Sequence, residues 1–244
     1  MSNKVMKEVD MVIISWAKND TLKKVTEDGI KSCIESDPDI KFNFYIVETN
    51  KEATYDLPNT KTIYPESKFG YHRYLNIGRK AGNSKYVCLC NNDLTYENLW
   101  ASIMINFMET NPDIKSTSPW CPQTQGSNIN HIDNAYTGYG VRKEVAGWCI
   151  FQQREIYEII GDLDEQFEFW YCDNDYSMTL RSKKINHVMI PSSVVNHHED
   201  PIGKTGKLIK GAALFVMTKG QDQPFIKKWL KYAGDLKVLS YWNR

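Results

Sequence analysis

The sequence predicts an α/β fold in which a Rossmann-like, mostly parallel central sheet is flanked by helices. A nucleotide-binding half comes first and a half of different character second. Three observations predict it. Short apolar runs alternate with stretches of helical period through the first half, the pattern of a parallel sheet. One of these runs, VDMVIISW (Val9–Trp16), is almost continuously apolar, as in a strand buried on both faces. Another, YVCLCNNDL, ends in the acidic turn Asn91-Asn92-Asp93, and parallel α/β sheets bind ligands at the carboxyl ends of their strands.

The elements follow in order. Asn19-Asp20-Thr21 offers caps for a helix running to about Glu35. FNFYIVETN (Phe42–Asn50) makes a second strand, and TKTIYP a shorter third. YHRYLNIGRKAG has helical period and closes on a glycine, leading into the strand Tyr86–Cys90. ENLWASIMINFMETNPDI is an amphipathic helix stopped by Asn111-Pro112. The character then changes. SPWCPQTQGSNINHIDNAYTGYGVRKE is polar, irregular and long enough for a functional loop. VAGWCIFQQREIYEIIG reads as strand then helix, and DLDEQFEFWYCDNDYSMTLRSKK as an aromatic patch, acidic residues and a helix. INHVMIPSSVVNHHED is a last strand pair ending in two histidines.

The chain has 244 residues, 41% hydrophobic and 12% aromatic, which suits a single domain with a substantial core. It divides into a first half (about 9–115), a second half (about 116–200) and a basic tail (201–244). No apolar run reaches the roughly 18 residues of a membrane span. The opening MSNKVMKEVD has no apolar signal core, so a cytoplasmic protein is expected. The six cysteines form no CxxC pair and read as buried thiols in a reducing compartment. Net charge is zero, yet the tail carries nine Lys/Arg against two Asp/Glu. Such a tail suits a diphosphate, nucleic acid, an anionic surface or plain solvent.

Taken singly, the polar signals are ambiguous. Asp93 could be a turn residue, and Asp173 and Asp175 could simply complement a helix dipole. GKTGK fails as a phosphate loop because GxxxxGK[ST] requires glycine where His198 stands. Their order says more. The chain resembles the family-2 glycosyltransferases of GT-A fold, particularly their rhamnosyltransferase-like branch. Family VSVIIPTYN is similar to VDMVIISWAKN, and VVDNGS to IVETN with Glu48 at the acidic position. N.GF..A.N.G resembles SKFGYHRYLNIG, matching Gly70, Asn76 and Gly78. YLLFLNPDV resembles YVCLCNNDL. The catalytic stretch GA.LLIRR..F..VGGFDE.FF.Y.EDVDLSLR resembles GWCIFQQREIYEIIGDLDEQFEFWYCDNDYSMTLR, and P.A.V.H resembles PSSVVNH. Even F..KW has a counterpart in FIKKW. Two positions depart: Cys172 replaces the Glu of EDVD, and Asn-Asn-Asp replaces Asp-x-Asp.

The resemblance implies a metal-dependent, inverting glycosyltransferase acting on a UDP- or dTDP-linked sugar, with 9–115 as its nucleotide-sugar-binding half and 116–200 as its acceptor and catalytic half. It implies Mn²⁺ or Mg²⁺ held by Asp93 and His197, with His198 the alternative histidine, and Asp173 as general base. Donor contacts would come from Ser15, Trp16, Glu48, Arg73, Asn76 and Asn92. Glu48 would accept from a base imide. The acceptor side would be Trp148, Trp170 and Asp175, the last mostly structural. The acceptor would be a saccharide or, given the basic tail, a hydroxymethylated base in DNA. A non-catalytic nucleotide-sugar-binding protein is the reading from another class. Oligomeric state is left open.

Overall fold

The computed structural model describes residues 6–126, 134–198, 220–230 and 232. Its strands are β1 (Lys7–Ser15), β2 (Ile40–Glu48), β3 (Thr60–Ile63), β4 (Tyr86–Cys90), β5 (Leu94–Tyr96), β6 (Ser116–Trp120), β7 (Tyr136–Thr137), β8 (Cys149–Gln153) and β9 (His187–His197). Its helices are α1 (Asp20–Ser36), α2 (Tyr71–Lys80), α3 (Trp100–Thr110), α4 (Pro122–Gln125), α5 (Ile156–Ile160), α6 (Cys172–Ser182) and α7 (Asp222–Trp229). The expected basic tail and the middle of the long polar loop lie largely outside the described residues.

The strands form one sheet in the order β3-β2-β1-β4-β8-β6-β9-β5, with β7 on β9. β1 through β4 are mutually parallel neighbours, β8 runs antiparallel to β4 and β6, and β6 and β9 are parallel again. The chain winds outward from β1 to β3, then returns to the other side of β1 at β4. That reversal makes the carboxyl ends of β1 and β4 the switch point of the sheet, the usual ligand position in such folds.

Two apolar layers cover the sheet. α1 and α3 pack on one face, where Trp100, Met104 and Ile105 have no exposed surface. Leu75 of α2, Ile156 of α5 and Leu180 of α6 fill the other. A third cluster, Phe167, Cys172, Met178, Phe225 and Trp229, fastens α7 to α6. α1 starts where expected, because the Asn19 side chain accepts the Leu22 N–H at 3.0 Å.

Three elements differ from the sequence expectation. β6 was concealed in the polar loop, since Ser-Thr-Ser-Pro-Trp lacks the apolar signature of a central strand. Its hydroxyls are satisfied internally: Ser116 by Tyr176 and His187, Thr117 by the Phe151 carbonyl. β5 lies just ahead of the expected third helix, in residues for which no element was expected. The last strand pair is a single strand, β9, and its ladder with β6 shifts register between Pro119 and Trp120. No helix among the described residues is long and apolar enough to cross a membrane.

Candidate active site

β4 ends at Cys90, and the Asn91 N–H donates to the Trp148 carbonyl at 2.9 Å, pinning the acidic turn to the start of β8. α1 closes from the other side. A Cβ on Gly29 would stand 2.9 Å from the Leu94 carbonyl oxygen, so only glycine permits this approach. Leu94 then pairs with His197 across the antiparallel β5–β9 ladder. This register brings His197 Nε2 to within 3.3 Å of Asp93 Oδ1, with both side chains largely buried. His198 is exposed and lies against the Thr95 hydroxyl at 2.9 Å.

The imidazole is held on two sides. Trp148 stacks on it, and Asn91 Nδ2 lies 3.3 Å from Nε2. The Tyr71 hydroxyl donates to Asn91 Oδ1 at 2.9 Å, which turns the amide N–H₂ toward the ring. Asn91 and Tyr71 escaped sequence reasoning. The first adjoins Asp93 in the same turn, but nothing in the sequence marks the second.

Asp93 Oδ1, His197 Nδ1 and Trp148 Nε1 are buried without a hydrogen-bond partner among the described residues. Buried orphans are rare in folded proteins and point to an absent water or ion. Asp93 Oδ1 and His197 Nε2 suit a cation. Ligands bound at about 2.0–2.2 Å in adjacent positions lie about 3 Å apart. No group of three or more His, Cys, Asp or Glu converges among the described residues. The pair could therefore hold a divalent ion only together with phosphates and water, as Mg²⁺ is commonly held on nucleotides.

α6 begins after Tyr171, whose backbone is left-handed at φ 68°. Asp173 is half-buried against Gly147, where a Cβ would stand 2.7 Å from Asp173 Oδ2. Burial pushes its carboxyl above the ordinary range, against the helix-start N–H groups and the Arg142 charge. Gly147 thus touches Asp173 while Trp148, the next residue, covers His197. The Tyr71 hydroxyl, 3.4 Å from the Gly147 carbonyl, lies beside both.

The other expected residues are placed differently. Trp16 is 50% exposed at the end of β1, with Lys18 Nζ 3.6 Å over its ring. Ser15 is buried on the Tyr55 hydroxyl at 2.7 Å. Glu48 has no exposed surface. It accepts from the Asn50 N–H at 2.7 Å, the Tyr55 hydroxyl at 2.9 Å and the Ala17 N–H at 3.2 Å. Its carboxylate therefore grips the loop carrying Trp16. Asn92 donates to Thr26 Oγ1 at 3.0 Å, tying the acidic turn to α1.

Arg73 and Asn76, on α2, spend their polar atoms elsewhere. Arg73 Nε donates to Glu165 at 3.0 Å, and Asn76 brackets Leu163 through both its N–H and carbonyl at 2.9 and 3.0 Å. They fasten the turn before α6. Trp170 packs edge-on against Phe169, which packs in turn on Tyr71. Asp175 is 2% exposed and faces α7, where the Trp229 indole N–H donates to it at 2.8 Å. Cys172 also points inward, its thiol donating to the Phe167 carbonyl.

No protein-family model matches the chain, and neither does any curated protein. Solved structures do resemble it. One is GalNAc-T7 with UDP, GalNAc and Mn²⁺, at a TM-score of 0.61 and 14% identity, covering 79% of this chain and 43% of that one. Another is S. aureus TarS 1-349, at a TM-score of 0.55 and 10% identity, covering 77% of this chain and 59% of that one. The chain spans about half the length of these two structures. The fold is the GT-A fold of glycosyltransferases.

Proposed function

We propose that this protein is a metal-dependent, inverting glycosyltransferase of the family-2, rhamnosyltransferase-like type. It moves a sugar from a UDP- or dTDP-linked donor to an acceptor hydroxyl. One observation carries the reading: a buried Asp93 oxygen without a hydrogen-bond partner lies 3.3 Å from His197 Nε2, just past the carboxyl end of β4. The likeness to a structure solved with UDP and Mn²⁺ supports it.

Asp93 and His197 would hold Mn²⁺ or Mg²⁺, which when bound supplies positive charge opposite a departing diphosphate. The chain's own residues do the rest. Trp16 offers an exposed aromatic face on which a pyrimidine base can stack, and Ser15 and Glu48 brace the loop that presents it. Asn92 fixes the acidic turn against α1. Arg73 and Asn76 fasten the turn before α6 and so support the segment that carries Asp173. Asp173 accepts the proton of the attacking acceptor hydroxyl, on the sugar face opposite the leaving group. Its raised pKa makes it a stronger proton acceptor than an ordinary carboxylate. Trp170 and Trp148 wall the acceptor side, and Asp175 acts through α6.

A saccharide is the preferred acceptor. Transfer onto a DNA base draws only on the basic tail, most of which lies outside the described residues. The test is a thermal-shift series with UDP and dTDP, each with and without Mn²⁺ or Mg²⁺. Stabilisation that requires both nucleotide and metal is expected, because a ligand of the folded state raises apparent stability by mass action. No response to any combination would sink the reading, and nucleotide-sugar turnover would separate an enzyme from a binding protein.

A further inference from the structure

The segment FIKKW near the end of the chain forms α7, which packs on α6 and the residues that lead into it. Phe225 is 1% exposed, its ring centroid 5.0 Å from that of Tyr171 and 6.2 Å from that of Phe167. One turn later, Lys228 Nζ lies 2.7 Å from carboxylate oxygens of both Asp164 and Asp175. The Trp229 indole N–H donates to the same Asp175 oxygen. Gln221 caps the arrangement by accepting the Glu168 N–H at 3.0 Å. Every one of these contacts falls on the stretch from Asp164 to Asp175.

That stretch contains Asp173. Its entry residue, Tyr171, adopts a left-handed backbone that a bulky side chain keeps only when its surroundings hold it there. The ring of Phe225 is part of what holds it. Asp175 lies two positions beyond Asp173, and residues two apart on a helix face in different directions. One carboxylate is therefore gripped by α7 while the other is presented to Gly147.

We propose that α7 is a positioning element for Asp173: Lys228, Trp229 and Phe225 fix the first turn of α6 in the orientation that presents this carboxylate to the acceptor. The proposal rests on the glycosyltransferase reading for its consequence but not for its geometry. It gives the C-terminal segment a role in turnover that does not involve donor binding, since the Asp93–His197 pair and the Trp16 loop make none of these contacts.

The experiment compares Lys228→Met and Trp229→Phe with the intact protein. Hydrogen–deuterium exchange should accelerate at residues 171–176 in both variants, while the amides of β1 and β4 stay protected. Binding of UDP with Mn²⁺ should change less than about twofold. Turnover of the sugar nucleotide should fall roughly 10–100-fold in kcat at unchanged donor KM, the cost of a small misplacement of a reacting group. Lys228→Arg, which keeps the charge, should restore most of it. Unaltered exchange at 171–176 overturns the proposal whether or not the protein binds UDP. So does a wild-type kcat in both variants. Absence of UDP binding in the intact protein is instead a failure of the glycosyltransferase reading, and the exchange measurement still decides the role of α7.

Discussion

Trp148 lies flat on the imidazole of His197, with ring centroids 5.4 Å apart and planes 8° from parallel. Trp148 is itself fixed, because its carbonyl accepts the Asn91 N–H from the acidic turn. The stack therefore sets the ring orientation of the histidine that faces Asp93. Residues that orient a metal ligand typically contribute 10–100-fold to metal affinity. Trp148→Ala should lower Mn²⁺ affinity in the presence of UDP by roughly that factor, and Trp148→Phe by less. Titration calorimetry checks this, and equal affinities in all three proteins would show that the stack is packing alone.

Asp93→Asn isolates charge from shape. The turn keeps its propensity and its backbone contacts, including the His198 N–H to the Asp93 carbonyl at 2.9 Å. Metal-dependent stabilisation by UDP should vanish while the melting temperature without ligand stays the same or rises, since a largely buried charge is removed. A metal response equal to wild type would return Asp93 to a plain turn role.

Asp173→Asn should lower turnover about 10²–10⁴-fold with donor binding intact, the usual contribution of a general base. Gly147→Ala offers an independent route to the same place. Its Cβ would fall 2.9 Å from the Asp173 Cβ and 2.7 Å from Oδ2, so the carboxylate must move. Both variants should bind UDP with Mn²⁺ and turn over slowly. If Asp173→Asn retains wild-type kcat, the base lies elsewhere.

Glu48→Ala should cost about 1–3 kcal/mol of stability, because it strands buried donors on Ala17, Asn50 and Tyr55. It should also weaken UDP and a purine diphosphate to a similar degree, through the slackened Trp16 loop. A selective loss of UDP would show instead that Glu48 reads the base. Urea unfolding and parallel calorimetry measure the two effects.

Acid should unfold the protein through buried histidines. Burial pushes His187 and His72 down to about 4 from 6.5, so between these values the unfolded chain binds protons that the folded chain does not. Stability then falls as pH drops through that window. Burial raises Asp175 to about 6 from 3.8 despite the Lys228 ammonium and the Trp229 N–H, and Asp164 adds to the rise. Its folded form takes up a proton first, so it opposes the loss. His187, set among Ser116, Ser118 and the Glu144 carbonyl, is the cleaner site to change. His187→Gln should flatten the decline in unfolding free energy between about pH 6.5 and 4, and Asp175→Asn should steepen it. An unchanged slope in His187→Gln would dismiss that residue as a source.

The parallel half of the fold was legible because its strands are buried on both faces and carry nearly continuous apolar runs, Val9–Trp16 and Tyr86–Cys90 above all. β6 was not, since its polarity is internally satisfied and pattern alone cannot reveal partners far away in sequence. Pro191 made β9 read as two strands, when the register shift absorbs it. Within the candidate site, local order marked Asp93, Asp173 and His197. Glu48, Arg73 and Asn76 were expected to contact the donor, and in this structure their polar atoms bond to neighbouring segments of the chain. Direction of a side chain depends on tertiary contacts, and sequence spacing does not report them. Tyr71, which links Asn91 to the Gly147 segment, carried no sequence signal for the same reason.

The register shift in β9 also decides where this chain can change length. Ile190 sits opposite Pro119, but the next β6 residue, Trp120, sits opposite Val194. Residues 191–193 thus form an offset between the half of β9 that pairs with β6 and the half that carries His197 to Asp93. Side chains on a strand alternate, so gaining or losing one residue there would turn His197 away and present Asn196 or His198 in its place. A length scan should therefore find the three residues 191–193 as intolerant as the site itself, although Ser192 is exposed and none of the three is a candidate ligand. Homologous chains that keep the same chemistry should be free to drift in sequence at Ser192 and constrained in spacing, a signature visible in gap placement and invisible in residue identity.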